Sequence, residues 1–258
     1  MSGITQGQAI FLIITFLFMV GSMAGWVIEL LFRRFISSKN PSRKWINPGF
    51  LTGPCLPLYG FGLIALFVMS LLPYIGNMEG DIGNVMVIWA IIIMGIAMTL
   101  IELIAGLIFI KGMKIKLWDY SGEFMNLGGI ICLKFSLIWT ALAAFYYFFI
   151  QKYIIALVDW FSKNIAFTFV VGMFYGIMSI DLAYTFKIVG KVRRFAVDNE
   201  IVVKYEMLKQ EIRRDTDRMK QKGRFLLALH TEGKLAEKME QSLETIKFVK
   251  EKQKKEKK

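Results

Sequence analysis

Long apolar runs separated by short polar segments dominate most of the chain. A helix needs roughly 20 predominantly apolar residues to cross the hydrocarbon core of a bilayer, so each run close to that length predicts a transmembrane helix. Helices are the expected form because backbone groups in lipid must be hydrogen-bonded within their own segment. The pattern predicts five spans, at residues 10–32, 56–74, 85–110, 127–150 and 165–188.

Composition agrees with a membrane protein. Hydrophobic residues make up 55% of the 258 residues, and they occur in runs too long for the core of a soluble domain. No basic segment precedes the first run, so this run is predicted to remain as a helix rather than act as a cleaved signal peptide. The sequence therefore predicts an all-α polytopic membrane domain over residues 1–190, followed by a charged tail over residues 191–258.

The tail differs abruptly from the rest of the chain. Residues 191–258 contain 20 Lys and Arg against 12 Asp and Glu and have no proline, so they carry most of the net charge of +12. Apolar residues recur at helical spacing from Ile201 to Ile212 and from Leu235 to Ile246, which predicts amphipathic helices with a disordered Lys-rich end. A coiled-coil dimer, a helix lying on anionic lipid and a solvated helical hairpin are all compatible with this pattern.

Partners of the tail are restricted by its charge pattern. Basic residues alternate with acidic ones and lack interleaved stacking aromatics, which disfavours nucleic-acid binding. The Lys-rich end is instead suited to the anionic lipids of an inner leaflet.

The positions of the basic residues also predict the orientation of the chain in the membrane. They are concentrated in the first and third connections and after the fifth span, at Arg33, Arg34, Lys39, Arg43, Lys44, Lys111, Lys114, Lys116, Lys187, Lys191, Arg193 and Arg194. By the positive-inside rule these faces are cytoplasmic. The N-terminus is therefore predicted to lie outside and the tail inside the cell.

Four ionisable residues interrupt the spans near their predicted cytoplasmic ends: Glu29, Glu102, Lys134 and Asp181. A charge in hydrocarbon is costly and persists mainly where it is paired or lines a cavity. The four are therefore predicted to meet in one buried polar layer, with Lys134 neutralising the carboxylates. A static cluster that fixes helix register is one alternative, and side chains that snorkel to the interface are another, above all for Glu29.

A segment rich in proline and glycine precedes the second predicted span. Such a segment cannot begin as a regular helix. Irregular backbone at membrane depth is tolerated where it is buried in protein or lines a cavity, which predicts a gate or part of a substrate path. A rigid turn into a packed helix is an equally open interpretation. The residues concerned are Asn47, Gly49, Gly53, Pro54, Pro57, Tyr59 and Gly60.

A second polar motif lies between the third and fourth predicted spans, at Trp118, Asp119, Tyr120, Ser121 and Asn126. Trp and Tyr favour the headgroup layer, and Asp119 is suited to binding a basic residue or a helix end. The motif is therefore predicted to form part of the cytoplasmic interface.

Motifs for catalysis and nucleotide binding are missing from the sequence. There is no Gly-x-x-x-x-Gly-Lys-Ser/Thr phosphate loop, so any ATP hydrolysis requires a separate subunit. The sole histidine is His230 in the tail, and neither a His-Glu-x-x-His nor a Gly-x-Ser-x-Gly motif is present. Asp119 and Asp181 could share a proton as in aspartic proteases, but nothing in the sequence brings them together. We expect no enzymatic activity, no catalytic residue, no metal and no cofactor.

Several of these segments together resemble the CmpB-like family of bacterial membrane proteins, described as putative ABC-transporter type IV. They are residues Asn47 to Gly62, the helix around Glu102, Trp118 to Ser121 and Asn126 to Trp139. The likeness covers about residues 10–150, and its most specific parts are the Gly-Pro-x-x-Pro-x-Tyr-Gly and Trp-Asp-Tyr-Ser patterns. The family often has a basic residue before the Ile-Cys pair, where this chain has Ile130.

The resemblance implies a multi-pass protein of the bacterial cytoplasmic membrane. It also implies a permease-like subunit that works with an ATP-binding cassette subunit on a substrate that the family name does not specify. Five helices leave a narrow pathway for a monomer, which favours an oligomer. The alternative is a non-transporting scaffold or sensor that acts through its cytoplasmic tail.

Overall fold

The protein is mainly helical in a computed structural model that describes residues 5–37, 40–51, 53–74, 81–198 and 203–204. The helices are α1 (Gln6–Phe35), α2 (Pro57–Ser70), α3 (Asp81–Leu107), α4 (Leu133–Phe145), α5 (Gln151–Lys163) and α6 (Thr168–Asp198). Short 3₁₀ turns cover Leu72–Tyr74 and Ile165–Phe167, and π-helical turns cover Ile108–Gly112 and Tyr146–Ile150. Two short strands, β1 (Ile115–Lys116) and β2 (Val203–Lys204), pair in parallel.

Helices long and apolar enough to cross a membrane confirm the predicted class. Among the described residues there are four, at Gln6–Phe35, Val85–Gly112, Leu133–Lys163 and Ile165–Ala183. The remaining predicted span, residues 56–74, is represented by the shorter apolar helix α2. At a rise of about 1.5 Å per residue, α2 covers only about 21 Å, whereas the hydrocarbon core is about 30 Å thick.

The fourth and fifth predicted spans begin and end at other residues than expected. The predicted span 127–150 starts as a helix only at Leu133, because Gly128 and Gly129 adopt φ values of +60° and +67° in a preceding turn. It then continues to Lys163, since the intervening residues include neither glycine nor proline.

The predicted outer connection after residue 150 is therefore helical. It forms the amphipathic helix α5, which buries Gln151, Ile154 and Phe161 while leaving Asp159 and Lys163 exposed. The charged residues that marked it as a connection occupy its solvent-accessible face.

Helix α6 extends into the region predicted as the tail. It starts at Thr168 and reaches Asp198, well past the predicted span end at residue 188. The predicted amphipathic tail helices and Lys-rich end lie outside the described residues, apart from Val203 and Lys204 in β2.

Small residues allow the helices to pack closely. A Cβ at Gly25 would overlap the Tyr59 side chain, and a Cβ at Gly60 would overlap the Ser22 hydroxyl, so α1 and α2 approach through these two glycines. In α3, Gly95 plays the same part against Thr140 of α4. Glycine and other small residues are the usual means of close helix contact in membranes, where lipid tails are as apolar as the side chains.

Two apolar clusters hold the helices together away from the polar residues. One contains Leu17, Met94, Ala143, Tyr146 and Ile154. The other contains Phe16, Met19, Phe161 and Val171, with the rings of Phe16 and Phe161 stacked at 4.1 Å. Helix α5 contributes to both clusters and thereby links α4 to α6 across α1.

The helix ends that carry basic residues lie close to one another. Phe50, which precedes α2, packs against Phe109 at the end of α3 and against Phe186 of α6, at ring distances of 4.6 and 6.3 Å. The β1–β2 pairing brings the chain after α6 to the same place. We call this end of the bundle the basic end. This end comprises the C-termini of α1 and α3 and the N-terminus of α4. It contains Arg33, Arg34, Lys111 and Lys134.

We predict that Gly25→Ala destabilises the bundle, because its new methyl group would collide with the root of the Tyr59 side chain. Overpacking of this kind costs about 1–3 kcal/mol in free energy of unfolding. The matched control is Gly176→Ala on α6, where a Cβ meets nothing within 4 Å. Thermal unfolding in detergent should show a lower midpoint for Gly25→Ala alone, and equal midpoints for the two variants would contradict this contact.

Candidate functional site

The proline-rich segment before α2 runs at membrane depth without being helical. The Leu56 amide donates to the Ser22 carbonyl at 3.1 Å, and Pro57 then begins α2. Ser22 lies about 16 Å along α1 from Arg33 at the rise of about 1.5 Å per residue. The Leu56 end of the segment therefore lies beside α1 well below the basic end, and Leu51 and Cys55 are buried.

The Asn47 side chain organises the start of this segment. Its Oδ1 accepts hydrogen bonds from the Trp26 indole at 2.8 Å and from the Gly49 amide at 3.0 Å. Its Nδ2 donates to the Leu51 carbonyl at 3.0 Å. One amide side chain thus replaces the backbone bonds that a helix would have supplied, and it ties the segment to α1.

Asp181 binds the middle of the same segment from α6. The Gly53 amide donates to its Oδ2 at 2.8 Å, and the Thr185 hydroxyl donates to its Oδ1 at 3.3 Å. A Cβ at Gly53 would lie 3.1 Å from that Oδ2, so a larger residue would disturb the bond. Pro54 is exposed beside it. Asp181 therefore holds irregular backbone in place by a charge-assisted hydrogen bond.

Glu29 is neutralised from its own helix. Its Oε1 accepts from Arg33 Nε at 2.9 Å, one helical turn along α1. Its Oε2 accepts from the Tyr59 hydroxyl at 3.2 Å. Tyr59 follows directly on the proline-rich segment, so Glu29 also contributes to fixing the start of α2.

Glu102 is the most deeply buried of the predicted acids. Its residue is 3% exposed, and it accepts from the Tyr120 hydroxyl at 2.9 Å and from the Trp139 indole at 3.0 Å. Among the described residues it forms no ion pair. Burial, followed by the nearby Glu102 carboxylate, raises the pKa of Tyr120 above its ordinary value, so the phenol keeps its proton and remains a donor.

An aromatic contact connects the two glutamates. The rings of Tyr59 and Trp139 meet edge to face with centroids 6.3 Å apart. Tyr59 donates to Glu29 and Trp139 donates to Glu102, so the two networks are neighbours at the interface of α2 with α4. Asp181 connects to them through the segment that leads into Tyr59.

Lys134 does not take part, and its predicted role as the neutralising partner of the acids is wrong. Its Nζ lies 3.2 Å from Glu123 Oε1, and its side chain is 59% exposed. It stands about 8 Å nearer the basic end of α4 than Trp139, the residue that reaches Glu102. Glu123, in the connection before α4, is the closer carboxylate.

The Trp118 motif mainly builds a hairpin. The Trp118 indole donates to the Ile130 carbonyl at 2.7 Å, and the Tyr120 amide donates to the Gly129 carbonyl at 2.9 Å. Asp119 forms an ion pair with Lys116 at 2.7 Å.

Two further polar side chains of this motif stabilise the same hairpin. The Ser121 hydroxyl donates to Asp119 at 2.6 Å, while Asn126 Oδ1 accepts from the Gly129 amide at 3.1 Å. Only Tyr120 extends from the motif into the buried polar residues.

Sequence reasoning missed three donors of this site: Trp26, Arg33 and Trp139. The spacing of Glu29 and Arg33 is that of a helical ion pair and was a usable signal. Trp26 and Trp139 gave a weaker signal, since a buried indole N–H requires an acceptor but the sequence does not identify that acceptor.

We predict that Tyr120 and Glu102 are energetically coupled. Tyr120→Phe leaves a buried carboxylate with one donor fewer, which costs about 1–3 kcal/mol in free energy of unfolding. Combined with Glu102→Gln the loss should be smaller, giving a coupling energy of about 0.5–3 kcal/mol in a double-mutant cycle. Denaturant unfolding in detergent measures it. The control is Tyr153→Phe in α5, whose residue is 63% exposed; strictly additive losses for Tyr120 and Glu102 would contradict the contact.

A family model described as "Putative ABC-transporter type IV" matches residues 16–186 of the chain. No curated protein and no solved structure matches the chain. The matched range includes every hydrogen bond of the site, from Trp26 in α1 to Thr185 in α6. The chain therefore belongs to the CmpB-like family of putative ABC-transporter type IV membrane proteins.

Proposed function

We propose that the protein is the permease-like membrane subunit of an ABC-type transporter, with ATP hydrolysed by a separate ATP-binding cassette subunit. Family membership supports a transporter-like membrane protein. The observation that carries the proposal is the irregular backbone of residues 47–51 and 53–56 beside α1, held by hydrogen bonds with side chains of α1 and α6.

Irregular backbone has a mechanical advantage over a helix at this position. Its conformation depends on a few side-chain bonds, from Asn47 and Asp181, rather than on a continuous helical ladder. Exchanging those bonds would move the segment while α1 and α6 stay intact. Transporters commonly place their substrate sites at such interrupted helices, and intramembrane ionisable residues commonly mark the pathway.

The basic end is the proposed cytoplasmic face. Lys and Arg accumulate there, so the positive-inside rule directs it to the cytoplasm of a bacterial cell and the N-terminus to the outside. The ATP-binding subunit would then dock at this end. We further propose that the Lys-rich tail contacts anionic lipids, and that the subunit works as an oligomer because so few helices enclose little space.

The protein's own part in this scheme is not enzymatic. Its polar residues bind backbone and other side chains, and the chemistry of ATP hydrolysis belongs to the partner. The proposal accordingly includes no catalytic residue and no cofactor in this subunit.

We predict that Asp181→Asn and Glu102→Gln lower ATP-dependent transport by at least about tenfold, equivalent to about 1.4 kcal/mol, because both carboxylates order the pathway. The protein would be co-expressed with each ATP-binding cassette protein of the same bacterium in turn. Mass spectrometry would then compare the compounds that inside-out vesicles accumulate from cell extract with and without ATP. The control is Asp159→Asn, which removes an exposed α5 carboxylate paired with Lys163.

Membrane insertion of each variant is checked in the same vesicles, so that loss of transport is separated from loss of protein. Unchanged accumulation in both variants would reduce the two carboxylates to structural parts. Failure of any ATP-binding subunit to co-purify, together with no ATP-dependent accumulation, would overturn the permease proposal and favour a scaffold or sensor. Deleting residues 195–258 tests that second function, since full retention of transport argues against a role centred on the tail.

A further inference from the structure

The hairpin between α3 and α4, residues 118–132, folds back along the helices instead of projecting beyond them. Its Tyr120 hydroxyl reaches Glu102, which lies about 15 Å along α3 from Gly112 at about 1.5 Å per residue. Its Ile130 side chain fills the space over Gly106, about 9 Å from Gly112 by the same rise. The base of the hairpin, at Tyr120 and Ile130, therefore lies at the depth of the last turns of α3.

Local hydrogen bonds fix the turns of the hairpin. The Leu127 amide donates to the Ile131 carbonyl at 2.9 Å, and Asn126 Nδ2 donates to the Glu123 carbonyl at 2.9 Å. Met125 adopts a φ of +50°, a left-handed conformation that a methionine keeps only when its surroundings impose it. The tip is thus held in one conformation.

That conformation turns large apolar side chains outward. Phe124 is 77% exposed, Met125 66% and Leu127 60%. Apolar area left in water is unfavourable, so a tip that rigidly presents three such residues to solvent would be unfavourable. Clusters of this kind mark a surface that is covered by something else.

Position and charge identify what covers it. The ion pair between Glu123 and Lys134 places the tip beside the first turn of α4, whose next turns expose Leu137 on a candidate span. Lys134 belongs to the basic end, and α4 exposes apolar side chains from Leu137 onward, so the tip lies where phospholipid headgroups meet the acyl chains around α4. The exposed amine of Lys134 lies beside the apolar tip, as expected for a segment with apolar residues in acyl chains and amines among headgroups.

We propose that the hairpin tip, Phe124, Met125 and Leu127, is inserted into the leaflet at the basic end and contacts phospholipid where the glycerol region meets the acyl chains. The connection between α3 and α4 is then a lipid-binding element. The ATP-binding subunit of the proposed function would dock on other residues of the basic end.

Fluorescent labels on introduced cysteines test this placement in the full-length protein. Phe124→Cys carries the probe, and Lys44→Cys, in the exposed first connection, is the water control. Leu142→Cys, exposed on α4 about 12 Å from Lys134 at about 1.5 Å per residue, is the deep lipid control. The native Cys55 and Cys132 are buried, so labelled wild-type protein provides the blank. Each protein is reconstituted in phosphatidylcholine and phosphatidylglycerol vesicles whose chains are brominated near the glycerol or near the chain ends.

We expect shallow bromines to quench the Phe124→Cys label at least about threefold more than the Lys44→Cys label, and deep bromines to act mainly on Leu142→Cys. Aqueous iodide should quench Lys44→Cys but not Phe124→Cys. If iodide quenches both equally and bromine has no effect on Phe124→Cys, the tip lies in water and the proposal is wrong. If neither quencher reaches it, a protein or a second copy covers the tip, which overturns the proposal as well. Leu127→Cys repeats the test should Phe124→Cys fail to reconstitute.

Discussion

Backbone amides cannot be left without partners inside a membrane, and this requirement shapes the centre of the protein. Residues 47–51 and 53–56 lie beside α1 without the hydrogen bonds of a helix, so side chains must supply what the helix does not. Asn47 bonds three partners and Asp181 binds the Gly53 amide. The polar residues that first appear as expensive exceptions in apolar helices are therefore the reason that the irregular segment can exist.

The three acidic side chains of the bundle are each stabilised by different hydrogen-bond or ion-pair partners. Glu29 has a cation one turn away, whereas Glu102 has two neutral donors and no ion pair among the described residues. Asp181 binds backbone and a hydroxyl. A single neutralising lysine would have locked these groups into one cluster. Separate networks, with the contact of Tyr59 with Trp139 between the two glutamates, would allow the proline-rich segment to be repositioned without unpairing every charge at once.

The sequence was sufficient where one physical constraint dominates. Apolar run length fixed the membrane class, and proline with glycine identified the break before α2. Prediction failed where two constraints compete: Asp159 and Lys163 marked a connection, yet their spacing also suits one face of the helix α5. Lys134 illustrates a different limit, because its partner Glu123 is set by the hairpin between α3 and α4. Charge and depth alone could not reveal how that hairpin turns.

The bond between the Gly53 amide and Asp181 also bears on how the protein is made. Its two ends are 128 residues apart, so the first half of the membrane domain emerges from the ribosome long before its partner in α6. Until α6 arrives, the amide of Gly53 must use water or another temporary acceptor. Folding of the membrane domain is therefore completed late. The insertion of α6 supplies the acceptor for a segment that was synthesised much earlier.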